Sequence, residues 1–323
     1  MRPLFTAAAA AILATAATTS GAGAEERTLR GVSAFAAGTA FAQPYEAFVD
    51  GLNENGKGVL QIQSMGGPEA MPPFEVGNAL QSGVVDIAYV TGAFYTNIIP
   101  EADAFKLSQN TIQQQRANGC YDLIDALHQD KMNAHYLARF GDNIPFHLYL
   151  TKKIDKPDLT GLTIRTTPVY QAFFQSLGAN LVRTAPGEVY TALERGAIDG
   201  YGWPTQGVLD LGWDEQTKFR VDPGFYQVEV NVLVNLDVWN SLTDEQKALL
   251  EQGAAQLEAK NEENVARNKA EIVKQGEAGI EEITFSQEEN EAWLQAAQDT
   301  GWAAISAIDE TFATKLRDCY GGR

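Results

Sequence analysis

The chain has 323 residues, 45% of them apolar, with 42 acidic and 24 basic side chains and a formal net charge of −18. That length suffices for two compact lobes. The acidic balance speaks against nucleic acid, which needs a basic footprint, and against anionic membrane surfaces; an anionic small ligand stays open, because one buried arginine decides that locally.

Met1–Ala24 reads as a secretory leader. Arg2 is its one charge, Leu4 to Ala17 is small and apolar, and Ala22-Gly23-Ala24 is a small-x-small cleavage signal. Cleavage before Glu25 is expected, and the mature protein is expected to be soluble and exported. No other stretch is long and apolar enough to cross a bilayer.

Thr28 to Phe35 reads as a strand, Ala40 to Asn53 as a helix with Phe41, Tyr45, Phe48, Val49 and Leu52 on one face, and Val59 to Ser64 as a strand. Gly66-Gly67-Pro68 forces a turn. A helix from Pro73 to Gln81 ends at Gly83, and Val84 to Thr91 is the next strand. This βαβα order predicts a mainly parallel sheet. Gln109 to Gln129 is expected to be helical and Ala134 to Phe140 extended. Pro145 to Thr151 is a strand crossing to a second lobe. Leu162 to Thr166 is a strand, Pro168 to Leu177 a helix, Leu181 to Thr184 a strand, Gly187 to Glu194 a helix and Ala197 to Gly202 a strand. Thr205 to Thr217 is expected to be helical, and Gln227 to Asn235 to be one strand crossing back. Thr243 and Gln246 form a capping box that opens a long helix to about Ala278, whose acidic stretch Glu258–Glu263 reads as a solvated face. Ser286 and Glu289 form a second box, opening a last helix to about Cys319. The crossings divide the chain into lobe I (25–145 plus about 234–277) and lobe II (146–233 plus about 278–323).

One phrase occurs twice. Ala79-Leu-Gln-Ser-Gly-Val-Val-Asp86 and Ala192-Leu-Glu-Arg-Gly-Ala-Ile-Asp199 are each a helix end, a glycine and the start of an apolar strand. Gly83 and Gly196 suit the left-handed position just past a helix. Two copies of one joint point to two similar α/β lobes with a cleft between them. Cys120 and Cys319 are too few for a zinc cluster, and whether they pair is open at this stage.

Catalytic signatures are weak. His128, His135 and His147 show no metalloprotease spacing, and there is no nucleophile elbow, Walker loop or dinucleotide glycine motif. Leu162-Thr-Ile-Arg-Thr-Thr-Pro168 is different. A strand delivers Arg165 at its carboxyl end, where ligands of open α/β sheets bind. Thr167 can cap the following helix, with Pro168 as its first residue, and a helix N-terminus favours negative charge. A guanidinium pairs with a carboxylate through two parallel bonds. A surface arginine in a salt bridge fits the position equally well. Further cleft candidates are Thr91 and Phe94 after the first repeat, Trp203 at the end of the second, His147 on the crossing strand, and Phe225 and Tyr226 just before the return. Glu69 belongs to a glycine-rich loop that can offer backbone N–H groups. The aromatics fit a core or a pocket wall for a flat or apolar ligand.

These residues resemble the DctP-type solute-binding proteins of TRAP transporters. Gly161-Leu-Thr-Ile-Arg165 is similar to the family's G-L-K-I-R, and Pro168–Ala179, Pro186–Gly200, Asn235–Leu242 and Ala79–Asp86 are similar to further blocks in the same order. The resemblance implies an α/β fold of type II-like periplasmic binding proteins: two lobes, crossing strands as a hinge and a long helix spanning both. It implies that Arg165 holds a ligand carboxylate and that TRAP transporter membrane subunits, driven by an ion gradient, are the partner. His147 stands where sialate-type members have a second arginine and Trp203 where they have asparagine, which puts a polyhydroxylated sugar acid in doubt. Gly200-Tyr-Gly-Trp-Pro204 lacks the acidic residue of the metal-assisted 2-oxo acid branch, so no metal or cofactor is expected. The expectation is a monomeric exported receptor, in the periplasm as the resemblance implies, for an organic carboxylate, leaning to an aromatic or hydrophobic one. Two other readings stand beside it: a small-molecule sensor that partners a receptor protein, and a secreted hydrolase or lyase built on His147.

Overall fold

The computed structural model describes residues 26–320. The leader reading of Met1–Ala24 lies outside them. The first lobe opens with β1 (Arg27–Ser33), α1 (Gln43–Asn55), β2 (Leu60–Ser64), α2 (Val76–Gln81) and β3 (Ile87–Val90). A 3-10 segment, Pro100–Leu107, leads to α3 (Ile112–Asn118), α4 (Cys120–Met132) and β4 (Ala134–Phe140). The second lobe holds β5 (Pro145–Leu150), β6 (Thr163–Thr166), α5 (Pro168–Ser176), β7 (Asn180–Arg183), α6 (Val189–Glu194), β8 (Gly200–Pro204) and β9 (Phe219–Gln227). β10 (Val230–Asn235) returns to the first sheet. Then come α7 (Leu236–Ser241), α8 (Asp244–Ala259), α9 (Asn264–Glu277), β11 (Glu281–Thr284), α10 (Gln287–Ile308) and α11 (Glu310–Cys319).

The two sheets share one plan. The first runs β2-β1-β3-β10-β4 and the second β7-β6-β8-β5-β9, with β11 added at its end. In each, the fourth strand is antiparallel to both neighbours and is supplied by the chain segment that has just crossed over. The sequence repeat sits at equivalent places in this plan. Gly83 and Gly196 both take the left-handed region, at φ 73° and 63°, which a side chain would strain. Asp86 accepts the Arg30 backbone N–H at 2.8 Å and Asp199 accepts that of Thr163 at 2.9 Å. Each also pairs with a cation, Asp86 with Arg30 and Asp199 with Lys152. The repeated aspartates therefore clamp the middle of β1 and the start of β6.

Three expectations are corrected. Thr205–Thr217 is not a helix but a run of turns with one 3-10 segment at Trp213–Glu215; Gly207 and Gly212, at φ 94° and 67°, break it. Gln227–Asn235 is not one strand, because Val228 and Glu229 separate β9 from β10. Glu258 is buried rather than solvated, and Arg116 holds it through two bonds of 2.8 and 3.1 Å. Apart from these, Asp222-Pro-Gly224 lies inside β9, where the β5 register shifts between Phe146 and Leu148 and accommodates the proline.

The chain crosses between lobes at residues 141–144 and 228–229. α8 packs on α1 and β4, while Gln275 of α9 donates to the Thr205 carbonyl at 2.7 Å, so the long helical segment touches both lobes. On the way, Asn261, Asn264 and Asn268 donate to the carbonyls of Arg139, Asp142 and Asn143 at 3.1, 2.9 and 2.6 Å. The first crossing thus has its backbone satisfied by one face of a helix. Gly141 at φ 115° would place a Cβ 2.6 Å from Val228 Cγ1 on the second crossing, so the two hinge segments pass too closely for any larger residue. Cys120 and Cys319 form a disulfide that ties α11 to α4.

Candidate functional site

A cavity of about 40 Å³ lies between the lobes at the carboxyl ends of β3, β6 and β8. The first lobe lends Phe35, Phe41, Thr91 and Phe94, the second Phe146, Arg165, Thr167, Tyr170 and Trp203. This volume holds about three waters. Outside it, an apolar groove of about 330 Å³ shares the walls Phe35, Phe41 and Trp203 and reaches Pro68 in one lobe and Pro186 in the other. The lobes touch here. Phe41 meets Trp203 edge-on with ring centroids 6.3 Å apart, and Ala40 N donates to Asp210 at 2.7 Å.

Arg165 ends β6 and is 0% exposed. Its Nε and Nη2 donate to the Thr184 carbonyl at 3.2 and 2.9 Å. Nη1 is buried and has no hydrogen-bond partner among the described residues. Burial pulls the guanidinium down to about 10, against weak opposing pulls from Tyr170, Glu188 and Tyr201. Trp203 sits beside it, with the Arg165 Cζ 5.8 Å from the indole. The Trp203 Nε1 is a second buried donor without a partner among the described residues. A buried cation without a counterion and a stranded N–H are each costly. Both residues line the cavity.

Five of the residues singled out from sequence meet at this cavity: Thr91, Phe94, Arg165, Thr167 and Trp203. Thr167 is the N-cap residue of α5, yet its side chain makes no capping bond, so the expected cap is absent. Four others lie elsewhere. His147 is buried, with Nδ1 against the Val221 carbonyl and Asp222, and Nε2 3.0 Å from Thr205 Oγ1. Phe225 packs among Phe173, Phe174 and Trp293, and Tyr226 donates to the Ala297 carbonyl, both as core. Glu69 turns back onto its own loop and accepts Gly67 N at 2.7 Å, which holds its carboxyl below the usual range.

Sequence reasoning missed Glu229. It lines the cavity, is buried, and accepts from Thr91 Oγ1 at 2.7 Å, Gly92 N at 2.8 Å and Asn231 Nδ2 at 2.5 Å. Burial pushes its carboxyl up to about 7 despite these donors and the charge of Arg139. The signal was a lone acid between valines in an otherwise apolar β run.

Two sheets of one plan joined by two crossings, with a cavity between them, have the architecture of a two-lobed solute-binding protein. The family model for bacterial extracellular solute-binding protein, family 7 (DctP), matches residues 32–305. The chain belongs to that family, the TRAP-type receptors that its sequence blocks resemble. A monocarboxylate 2-oxoacid-binding periplasmic protein of a Nostoc species is 28% identical over 256 residues, 75% of this chain and 68% of that protein. An extracytoplasmic solute receptor of Bordetella pertussis, solved binding pyroglutamic acid, superposes with a TM-score of 0.81 at 18% identity, covering 91% of this chain and 99% of its own. A Roseobacter denitrificans TRAP solute-binding protein with bound L-galactonate reaches 0.78 at 19% identity over 90% and 99% of the two chains. These two structures carry the fold alone.

Proposed function

We propose that this protein is an exported receptor that captures an organic carboxylate between its lobes and passes it to TRAP transporter membrane subunits. One observation carries the reading: a fully buried arginine on the interlobe cavity whose Nη1 has no partner among the described residues. A carboxylate there meets Nη1 and the Trp203 indole N–H, while Thr184 keeps the other side of the guanidinium in place. Desolvated charge-assisted bonds of this kind are strong. The walls are mostly apolar and the closed volume is small, which favours a compact acid, or one whose apolar body runs toward the outer groove. The bodies that close on it are those read from the sequence, 25–145 with 234–277 and 146–233 with 278–323. The relatives' ligands, a monocarboxylate 2-oxoacid, pyroglutamic acid and L-galactonate, are all carboxylates and support the same chemistry. His147 lies off the cavity with both ring nitrogens engaged, so nothing favours the hydrolase or lyase reading.

Thermal-shift screening of the mature protein against organic acids tests the proposal. A true ligand at a hundred times its Kd raises stability by about 2.7 kcal/mol. Arg165→Ala is expected to weaken that ligand by about 3–5 kcal/mol in calorimetry, because it strands a buried carboxylate. Unchanged affinity in that variant would remove Arg165 from the role.

A further inference from the structure

Within the same cavity stands a second ionisable group of opposite character, Glu229. Its surroundings run in one direction. Tyr136 donates to Asn231 Oδ1 at 2.8 Å, and Asn231 Nδ2 donates to both Glu229 Oε2 and the Tyr95 hydroxyl. Tyr95 is then left to donate to His128 Nε2 at 3.0 Å, and His128 Nδ1 to the Ile124 carbonyl at 2.8 Å. Every proton of this chain is committed, and Asn231 can deliver only N–H to Glu229. Oε1 accepts two bonds and Oε2 one, which leaves Oε2 an open acceptor position. No cation touches the carboxylate among the described residues; Arg139 acts on it as a neighbouring charge, and Tyr89, Tyr95, Tyr136 and Tyr320 are the phenols around it.

We propose that Glu229 is the second polar anchor of the cleft and selects organic acids that carry a hydroxyl, amide N–H or ammonium donor away from the carboxylate. This rests on the reading of Arg165 as the carboxylate's partner. The donor is taken by ionised Glu229, so binding drives a proton off near neutral pH. Because the carboxyl is pushed up to about 7, the preference for donor-bearing acids shrinks as the pH falls below that value.

The test is calorimetry on the mature protein with three matched pairs: pyroglutamate and cyclopentanecarboxylate, 4-hydroxybutyrate and butyrate, 4-hydroxyphenylacetate and phenylacetate. At least one donor-bearing acid is expected to bind about tenfold or more tightly than its partner at pH 8, the scale of one hydrogen bond to a charged group. The ratio should narrow at pH 6 and collapse in Glu229→Gln. Titrations of the wild type in phosphate and in Tris at pH 7 need no variant, and should report proton release for the donor-bearing acid alone. Equal affinities within every pair, no binding by any donor-bearing acid, or an unchanged ratio in Glu229→Gln overturns the assignment. Arg165→Met keeps the two readings apart: if it binds every acid as the wild type does, the carboxylate reading fails, whatever Glu229 does.

Discussion

Arg165 is held in place by one carbonyl, that of Thr184, and its guanidinium is drawn down to about 10 by burial. A cation whose folded value lies below its unfolded one costs stability at every pH below the folded value, and relief comes only as the pH climbs from about 10 toward 12.5. The cost at neutral pH is on the order of 3 kcal/mol. Arg165→Met is therefore expected to raise the stability of the unliganded protein by about 1–3 kcal/mol in urea melts while abolishing the response to acids. A less stable variant would mean the guanidinium is structural. Arg165 and Trp203 were legible because each ends a strand that leads into the cleft. Glu229 was not, because a strand pattern does not say where the strand breaks, and it is the break at Val228–Glu229 that turns this side chain toward the cavity wall. His147 stands on the expected strand, but its partners Thr205, Val221 and Asp222 come from segments whose course the sequence did not reveal.

The network through β10 couples two titrations of opposite sign. Burial lowers His128 to about 4 and raises Glu229 to about 7. For His128 the unfolded chain binds the extra proton, so stability present above pH 6.5 is lost as the pH falls toward 4. For Glu229 the folded chain binds it, so stability present below 4.5 is lost as the pH rises through 7. Each effect is on the order of 3 kcal/mol, and between pH 4.5 and 6.5 they oppose one another. The wild type should therefore have a flattened stability profile across that window. Glu229→Gln is expected to lose stability on acidification, and His128→Gln on alkalinisation, in urea melts at half-unit pH steps. Parallel profiles for both variants would contradict this. At this scale the sequence was a good guide wherever local chemistry decides. The two joints at Gly83 and Gly196, α5 behind Pro168, and the capping boxes at Thr243 and Ser286 all formed where expected. β9 did not show itself, because Pro223 and Gly224 interrupt its strand pattern and the neighbours β5 and β11 are what hold it extended.

Lys106 of the first lobe donates to the Val169 carbonyl of the second at 2.7 Å, and further contacts close the cleft. Phe41 meets Trp203, Ala40 N meets the exposed Asp210, and Arg183 lies 4.8 Å over the Phe74 ring. Asp210 does not line the cavity, so Asp210→Ala acts on closure alone. Loss of one exposed hydrogen bond of about 0.5–1.5 kcal/mol should lower the closed population and weaken a ligand roughly 2- to 10-fold. Small-angle scattering should show the same maximal contraction at saturation, reached at higher ligand concentration. An unchanged midpoint would mean that this contact does not hold the lobes together.

By itself the sequence determined the repeated joint, the two α/β lobes and the arginine at a strand end, because glycine geometry, apolar period and helix caps act within a few residues. The tertiary structure decided that Arg165 would pair with no carboxylate among the described residues, that His147 would be satisfied within its own lobe, and that Glu229 would line the cavity. Those outcomes depend on which atoms from distant segments arrive as partners, and burial fixes charge energetics only once the lobes have met.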